Sequence, residues 1–180
     1  MSVIVPTKVF LTRGMGQHRE KLVSFEKALR EAGIAPFNLV RVSSIFPPRC
    51  KLVPREEGVK LLKPGQILFV VLSEAATDEA RRLISASIGM AMPNDPDQFG
   101  YLAEHDSYGV SEQEASRSTE YLAAEMLATK MGEKLTDPVK GKKAYAVTNG
   151  LSLRTRSISQ VGEGVSGLWT TTLAVAVLIS

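Results

Sequence analysis

The stretch Asn38-Leu39-Val40-Arg41-Val42-Ser43-Ser44-Ile45-Phe46-Pro47-Pro48 holds the residue types that could do chemistry. A serine on the C-terminal side of a peptide bond can attack the carbonyl just before it. Where the backbone is strained and the oxyanion is stabilised, the amide becomes an ester. Loss of that ester by elimination leaves dehydroalanine, which hydrolyses to a pyruvoyl group and ammonia. Ser44 would then become a cofactor made from the chain, and Ser43 a new C-terminus. The plain alternative is two serines in a half-buried strand, which composition alone favours because Ser-Ser is a common dipeptide.

A carbonyl of this kind suits the removal of CO2 from an amino acid. It condenses with the substrate amine as a Schiff base and takes up the electrons of the broken bond. Pyridoxal phosphate would need a lysine and a phosphate site. Arg13-Gly14-Met15-Gly16-Gln17-His18 reads as a loop ahead of a helix, but it lacks the spacing of a phosphate-binding motif. The carbanion left by decarboxylation needs a proton. Glu104, in Gly100-Tyr101-Leu102-Ala103-Glu104-His105, could hold one, because burial raises a carboxyl pKa. Its alternative is a strand glutamate facing water. His18 has no second His, Cys or carboxylate cluster at metal spacing nearby. Cys50 is the one cysteine, which rules out an internal disulfide and suits a reducing cytosol. Arg49 and Lys51 beside it could lower its pKa, although a plain surface thiol is the ordinary reading.

The segment from Asn38 to Pro48 resembles the self-cleavage segment of the pyruvoyl-dependent arginine decarboxylases. Ser24 to Ile34 and Gly100 to Glu104 look like the same family in the same order. The likeness is good over residues 8 to 131 and loose over the last forty residues. It implies cleavage between Ser43 and Ser44 into a small N-terminal and a larger C-terminal chain, with a pyruvoyl group from Ser44. It implies neither metal nor pyridoxal phosphate. Glu104 matches the family's proton donor. Asn38 matches a residue that assists the serine attack and lines the pocket with Ser43 and Ile45. Glu26 matches the acidic residue that grips the substrate guanidinium, where the family usually has aspartate. Glutamate keeps the charge and the bidentate pairing but is one methylene longer. The implied reaction is L-arginine to agmatine and CO2, a step of polyamine biosynthesis, in a cytoplasmic homotrimer with the pocket between subunits. Glu26 leaves lysine, ornithine or histidine open as substrates. An unprocessed, non-catalytic homologue acting as a structural partner is the alternative outside enzymology. The basic Arg13 to Lys21 segment also departs from the family, and would reshape the pocket mouth or be solvated.

The elements that must position these residues follow from pattern. Thr7 to Thr12 reads as a strand. Glu20 to Ala32 reads as a helix with Leu22, Phe25, Ala28, Leu29 and Ala32 on one face, closed by Gly33. Asn38 to Phe46 reads as one long strand stopped by prolines, with the serines on opposite faces. Short pieces and turns are expected over 49–66. Ile67 to Leu72, Arg81 to Met92 and Phe99 to Tyr108 read as strands, with a turn at Glu74 to Glu79. Ser111-Glu112-Gln113-Glu114 is a capping box that opens a second helix, with Ala115, Tyr121, Leu122, Met126 and Leu127 as its apolar side. Glu133 to Lys143 reads as a linker, followed by strands over 144–158 and 165–179. Roughly seven strands and two long helices without βαβ alternation predict an α+β fold. Two mainly antiparallel sheets with a helix on each outer face form a four-layer αββα sandwich, the fold that the resemblance also implies.

With 180 residues, the chain suits one domain with a real core. A net charge of +3, scattered along the chain, gives no footprint for nucleic acid. The apolar run from Leu168 to Ile179 is too short for a membrane helix and reads as a buried strand. Met1 to Pro6 has neither the basic region nor the apolar core of a targeting segment.

Overall fold

The computed structural model describes residues 3–140 and 142–180. Residues 1 and 2, part of the Met1 to Pro6 segment, and residue 141, inside the expected 133–143 linker, lie outside the described residues. The strands are β1 (Lys8–His18), β2 (Asn38–Arg41), β3 (Ile45–Phe46), β4 (Lys51–Leu52), β5 (Ile67–Thr77), β6 (Leu83–Met92), β7 (Gly100–Tyr108), β8 (Leu135–Pro138), β9 (Ala144–Val147), β10 (Ser152–Glu163) and β11 (Trp169–Ile179). The helices are α1 (Lys21–Ala32), α2 (Arg55–Lys60) and α3 (Glu112–Lys130).

A five-stranded sheet runs in the order β2-β5-β11-β1-β4, and a six-stranded sheet runs β3-β7-β6-β10-β9-β8. All pairings are antiparallel except β2 with β5 and β1 with β4. Period-2 alternation explains the layers. On β11, Leu173, Val175 and Val177 face α1 and share a core cluster with its Ala28 and Ala32 and with Phe10 of β1. Ala174, Ala176 and Leu178 point the other way and pack on Ala86, Ile88 and Met90 between the sheets. A third cluster, including Ala123, Ala124 and Leu127, fills the space between α3 and the six-stranded sheet. The four-layer αββα sandwich is therefore present, and the apolar run ending at Ile179 is its doubly covered central strand. None of the described helices is long and apolar enough to cross a membrane.

Several elements differ from the sequence reading. Arg13 to His18 is not a loop: β1 runs to His18, paired with β11 down to Trp169. Gly14 and Gly16 sit two apart on one strand face, beneath α1. A Cβ on Gly14 would stand 2.1 Å from the Ala28 oxygen, and one on Gly16 would stand 2.0 Å from the Ser24 oxygen. The glycines thus serve close helix-on-sheet packing. Arg13 donates to the Ser159 carbonyl and pairs with Glu112, tying β1 to β10 and the start of α3.

Leu22 does not join the buried stripe of α1 and is 78% exposed. The buried face is Ser24, Ala28 and Ala32, because small residues let the helix lie against Gly14 and Gly16. The same holds for α3. Its buried face is Ala115, Thr119, Ala123, Ala124, Leu127 and Ala128, while Tyr121 and Leu122 are exposed. The Glu74 to Glu79 turn begins later than expected, since β5 continues to Thr77. The 49–66 connection contains α2 as well as β4, and the 133–143 linker contains β8.

Candidate active site at a strand crossover

Asn38 to Phe46 is not one strand. β2 belongs to the five-stranded sheet and β3 to the six-stranded sheet, so the chain changes sheets between Arg41 and Ile45. The two serines lie in that crossing. Both ends are pinned by backbone hydrogen bonds. The Val42 N–H donates to the Val70 carbonyl at 2.9 Å on one side, and the Leu102 N–H donates to the Ser44 carbonyl at 2.8 Å on the other. Arg41 adds an ion pair to Glu74 at 2.8 Å. The Ser43–Ser44 peptide is thus suspended between two packed layers.

Within the crossing the backbone folds back on itself. The Ile45 N–H donates to the Ser43 carbonyl at 2.9 Å, an i→i+2 bond that makes a γ-turn centred on Ser44. Ser44 is not among the residues with positive φ, so the turn is of the inverse, low-strain kind. The Ser44 hydroxyl donates to Glu104 Oε2 at 3.3 Å. Glu104 is on β7, opposite Ile88 of β6, and shares the inward-facing parity of Leu102. Leu102 is fully buried, whereas Glu104, two residues on, is exposed: the cover from the other sheet ends there. The burial expected for Glu104 is therefore not supplied by this one chain. Ser44 is half-buried and Ser43 is exposed.

Asn38 and Glu26 are placed elsewhere. Asn38 opens β2 opposite Ile67, and its side-chain amide donates to the Gly65 carbonyl at 3.0 Å. It lies four strand residues before Val42, a span of about 13 Å. Glu26 is on α1, over the outer face of the five-stranded sheet, and holds the Arg30 guanidinium at 2.6 Å. Among the described residues no hydrogen bond joins Asn38 or Glu26 to Ser44. Ile45 is exposed and lines an apolar cavity of about 410 Å³ with Ser43, Val42, Phe69 and Leu178. Ile4, Val5 and Pro6 form part of its wall. That contribution was invisible in the sequence, as were the backbone donors of Ile45 and Leu102. A main-chain N–H carries no residue-type signal, and only the crossover aims these two.

Cys50 is half-buried, and burial pushes its thiol up to about 11 against a weaker lowering by the Lys51 backbone. The depression that Arg49 and Lys51 could have caused is therefore absent: the Arg49 guanidinium pairs with Asp97.

A two-sheet sandwich with a serine pair in its crossover and a carboxylate on the second serine has the parts a self-made carbonyl cofactor would require. Comparison with known proteins places the chain in a family. The family model for pyruvoyl-dependent arginine decarboxylase matches residues 8–180. A Chlorobium limicola protein described as a probable pyruvoyl-dependent arginine decarboxylase is 51% identical over 97% of this chain and 98% of its own length. Pyruvoyl-dependent arginine decarboxylases of Nitrosopumilus maritimus and Picrophilus torridus are 46% and 50% identical, over 98% and 88% of this chain and 98% and 87% of their own lengths. The chain belongs to the pyruvoyl-dependent arginine decarboxylase family.

Proposed function

We propose that this chain cleaves itself between Ser43 and Ser44 and then decarboxylates L-arginine to agmatine and CO2. The observation that carries the reading is the Ser44 hydroxyl held on Glu104 at the crossover, in a chain of this family. The residues fit a pyruvoyl group at position 44. The hydroxyl already has a proton acceptor, and the Ser44 carbonyl that would remain is held by the Leu102 N–H. Once formed, the group supplies a ketone for the substrate amine and a conjugated carbonyl that accepts the electrons of the broken C–C bond.

The chain's own residues do the rest. Glu104 carries a proton to the Cα that has lost CO2. The Leu102 N–H favours negative charge on the carbonyl oxygen it already touches. Ser43, now a carboxylate, and Ile45 line the pocket, whose apolar wall suits the aliphatic stem of an amino acid. Glu26 already accepts a guanidinium, that of Arg30, and takes the substrate's in its place. Neither Glu26 nor Asn38 reaches Ser44 within one chain, so a homotrimer brings them from neighbouring copies and covers Glu104 in doing so. The pathway is polyamine biosynthesis, in the cytoplasm.

The test is CO2 release from a panel of L-arginine, lysine, ornithine and histidine by the purified protein. Arginine is expected to exceed the others by at least an order of magnitude, since a site built for a bidentate partner rejects analogues lacking it. Release from lysine or ornithine at the rate of arginine would reassign the substrate.

A further inference from the structure

The chemistry at Ser44 needs two things from its surroundings: an acceptor for the hydroxyl proton and a donor for the oxygen that becomes negative. The acceptor is Glu104. The side chain expected to assist the attack, Asn38, donates instead to the Gly65 carbonyl at 3.0 Å and stands at the far end of β2. The Leu102 N–H is engaged with the Ser44 carbonyl, the one after the scissile bond. The oxygen before that bond, on Ser43, is met by the Ile45 N–H at 2.9 Å. This N–H does not donate to the neighbouring β7, because Ile45 opens β3 and its N–H turns back across Ser44.

We infer that the backbone N–H of Ile45 is the oxyanion donor for self-cleavage, an assignment that rests on the proposed processing at Ser44. Glu104 takes the hydroxyl proton as Ser44 Oγ forms a bond to the Ser43 carbonyl carbon. The C=O π electrons move to the Ser43 oxygen, which lies at hydrogen-bond distance from the Ile45 N–H before the attack begins. The C–N bond then breaks, the Ser44 nitrogen takes a proton, and an ester remains. Loss of the Ser44 Cα proton expels the Ser43 carboxylate and leaves dehydroalanine. One water converts this to the pyruvoyl group and releases ammonia. A donor within roughly 2.7–3.1 Å of the developing charge needs no rearrangement, and losing one such donor slows acyl chemistry about 100-fold or more. The γ-turn thus gives the scissile carbonyl a local oxyanion hole built by the residue two positions on.

The test replaces single backbone N–H groups by oxygen, incorporating the α-hydroxy acid analogue of isoleucine at position 45 or of valine at position 42. The second removes the bond to Val70 and leaves the Ser43 oxygen untouched. Full-length chain is followed by intact mass on the protease-resistant, folded fraction, with and without hydroxylamine, which cuts an ester at Ser43 and also the backbone ester each analogue carries after Ser44 or Arg41, the fragments being told apart by mass. The position-45 analogue is expected to cleave at least about 100-fold more slowly than the parent and to give no hydroxylamine fragment ending at Ser43, with the position-42 analogue within a few-fold of the parent. Equal cleavage by parent and position-45 analogue would overturn the assignment. So would equal slowing at both positions, which would mean a loosened crossing. A hydroxylamine fragment ending at Ser43 from a slow position-45 analogue would place the defect at elimination and also overturn it. A parent that never cleaves refutes the processing itself, a result distinct from all of these.

Discussion

At the level of single residues, the crossing concentrates its chemistry in few groups. In the proposed function Glu104 moves protons in both the making and the use of the cofactor. Glu104→Gln keeps the shape and removes the base, so self-cleavage and CO2 release should each fall about 100-fold or more. Intact mass reads the first and gas release the second, and an unchanged cleavage rate would remove Glu104 from processing. Cys50 offers a separate test. Burial raises its thiol to about 11, so the folded state favours the protonated form. Its contribution to stability is complete below the ordinary thiol range and is lost as pH climbs from there toward about 11. Alkylation of the native protein by iodoacetamide at pH 8 should therefore be far slower than that of free cysteine. The drop in Tm on going to high pH should be smaller in Cys50→Ala than in the parent. Ser44 and Glu104, which a hydrogen bond joins, were legible together in the sequence through the family resemblance. The donors from Ile45 and Leu102 were not, because every residue but proline has such a group and only the fold decides where it points.

The elements that hold the site work by close approach rather than by large side chains. Gly89 of β6 lies under α3, where a Cβ would fall 2.0 Å from the Thr119 oxygen. Gly89→Ala should push the helix outward and cost about 1–3 kcal/mol, seen as a lowered Tm. Ser111 caps α3 by accepting from the Glu114 N–H, while the Glu114 side chain accepts from the Ser111 N–H. Ser111→Ala should cost about 1 kcal/mol. The capping box and the long strands could be read directly from pattern. The buried helix faces could be read in part: Ala28, Ala32, Ala115 and Leu127 are buried as expected. Leu22, Tyr121 and Leu122 have the right apolar character but are exposed, while Ser24 and Thr119 take inner positions because the helices lie close against glycines of the sheet there. Likewise Gly14 and Gly16 looked like loop residues, since a glycine pair marks a turn or a close approach and the sequence alone does not say which. The break in the Asn38 to Phe46 strand was hidden for a related reason. β-branched residues run through it, and only the assignment of β2 and β3 to different sheets demands a crossing.

For the whole molecule, the two sheets are what make the Ser43–Ser44 bond special: one layer fixes Val42, the other fixes Ser44, and the bond spans them. The two residues placed far from Ser44 in one chain, Glu26 and Asn38, set a prediction about assembly. Glu26→Ala and Ser44→Ala chains, each inactive alone, should recover part of the arginine activity when co-assembled, because a pocket shared between copies can draw one intact half from each. Absence of recovery in verified mixed trimers would put the substrate-gripping acid elsewhere. The central claim is tested most directly by the intact mass of the purified protein beside that of Ser44→Ala. The parent should give two chains split after Ser43, the larger lighter by one ammonia than a chain beginning with serine, while Ser44→Ala stays whole and inactive. A parent that decarboxylates arginine as a single uncut chain would contradict the account.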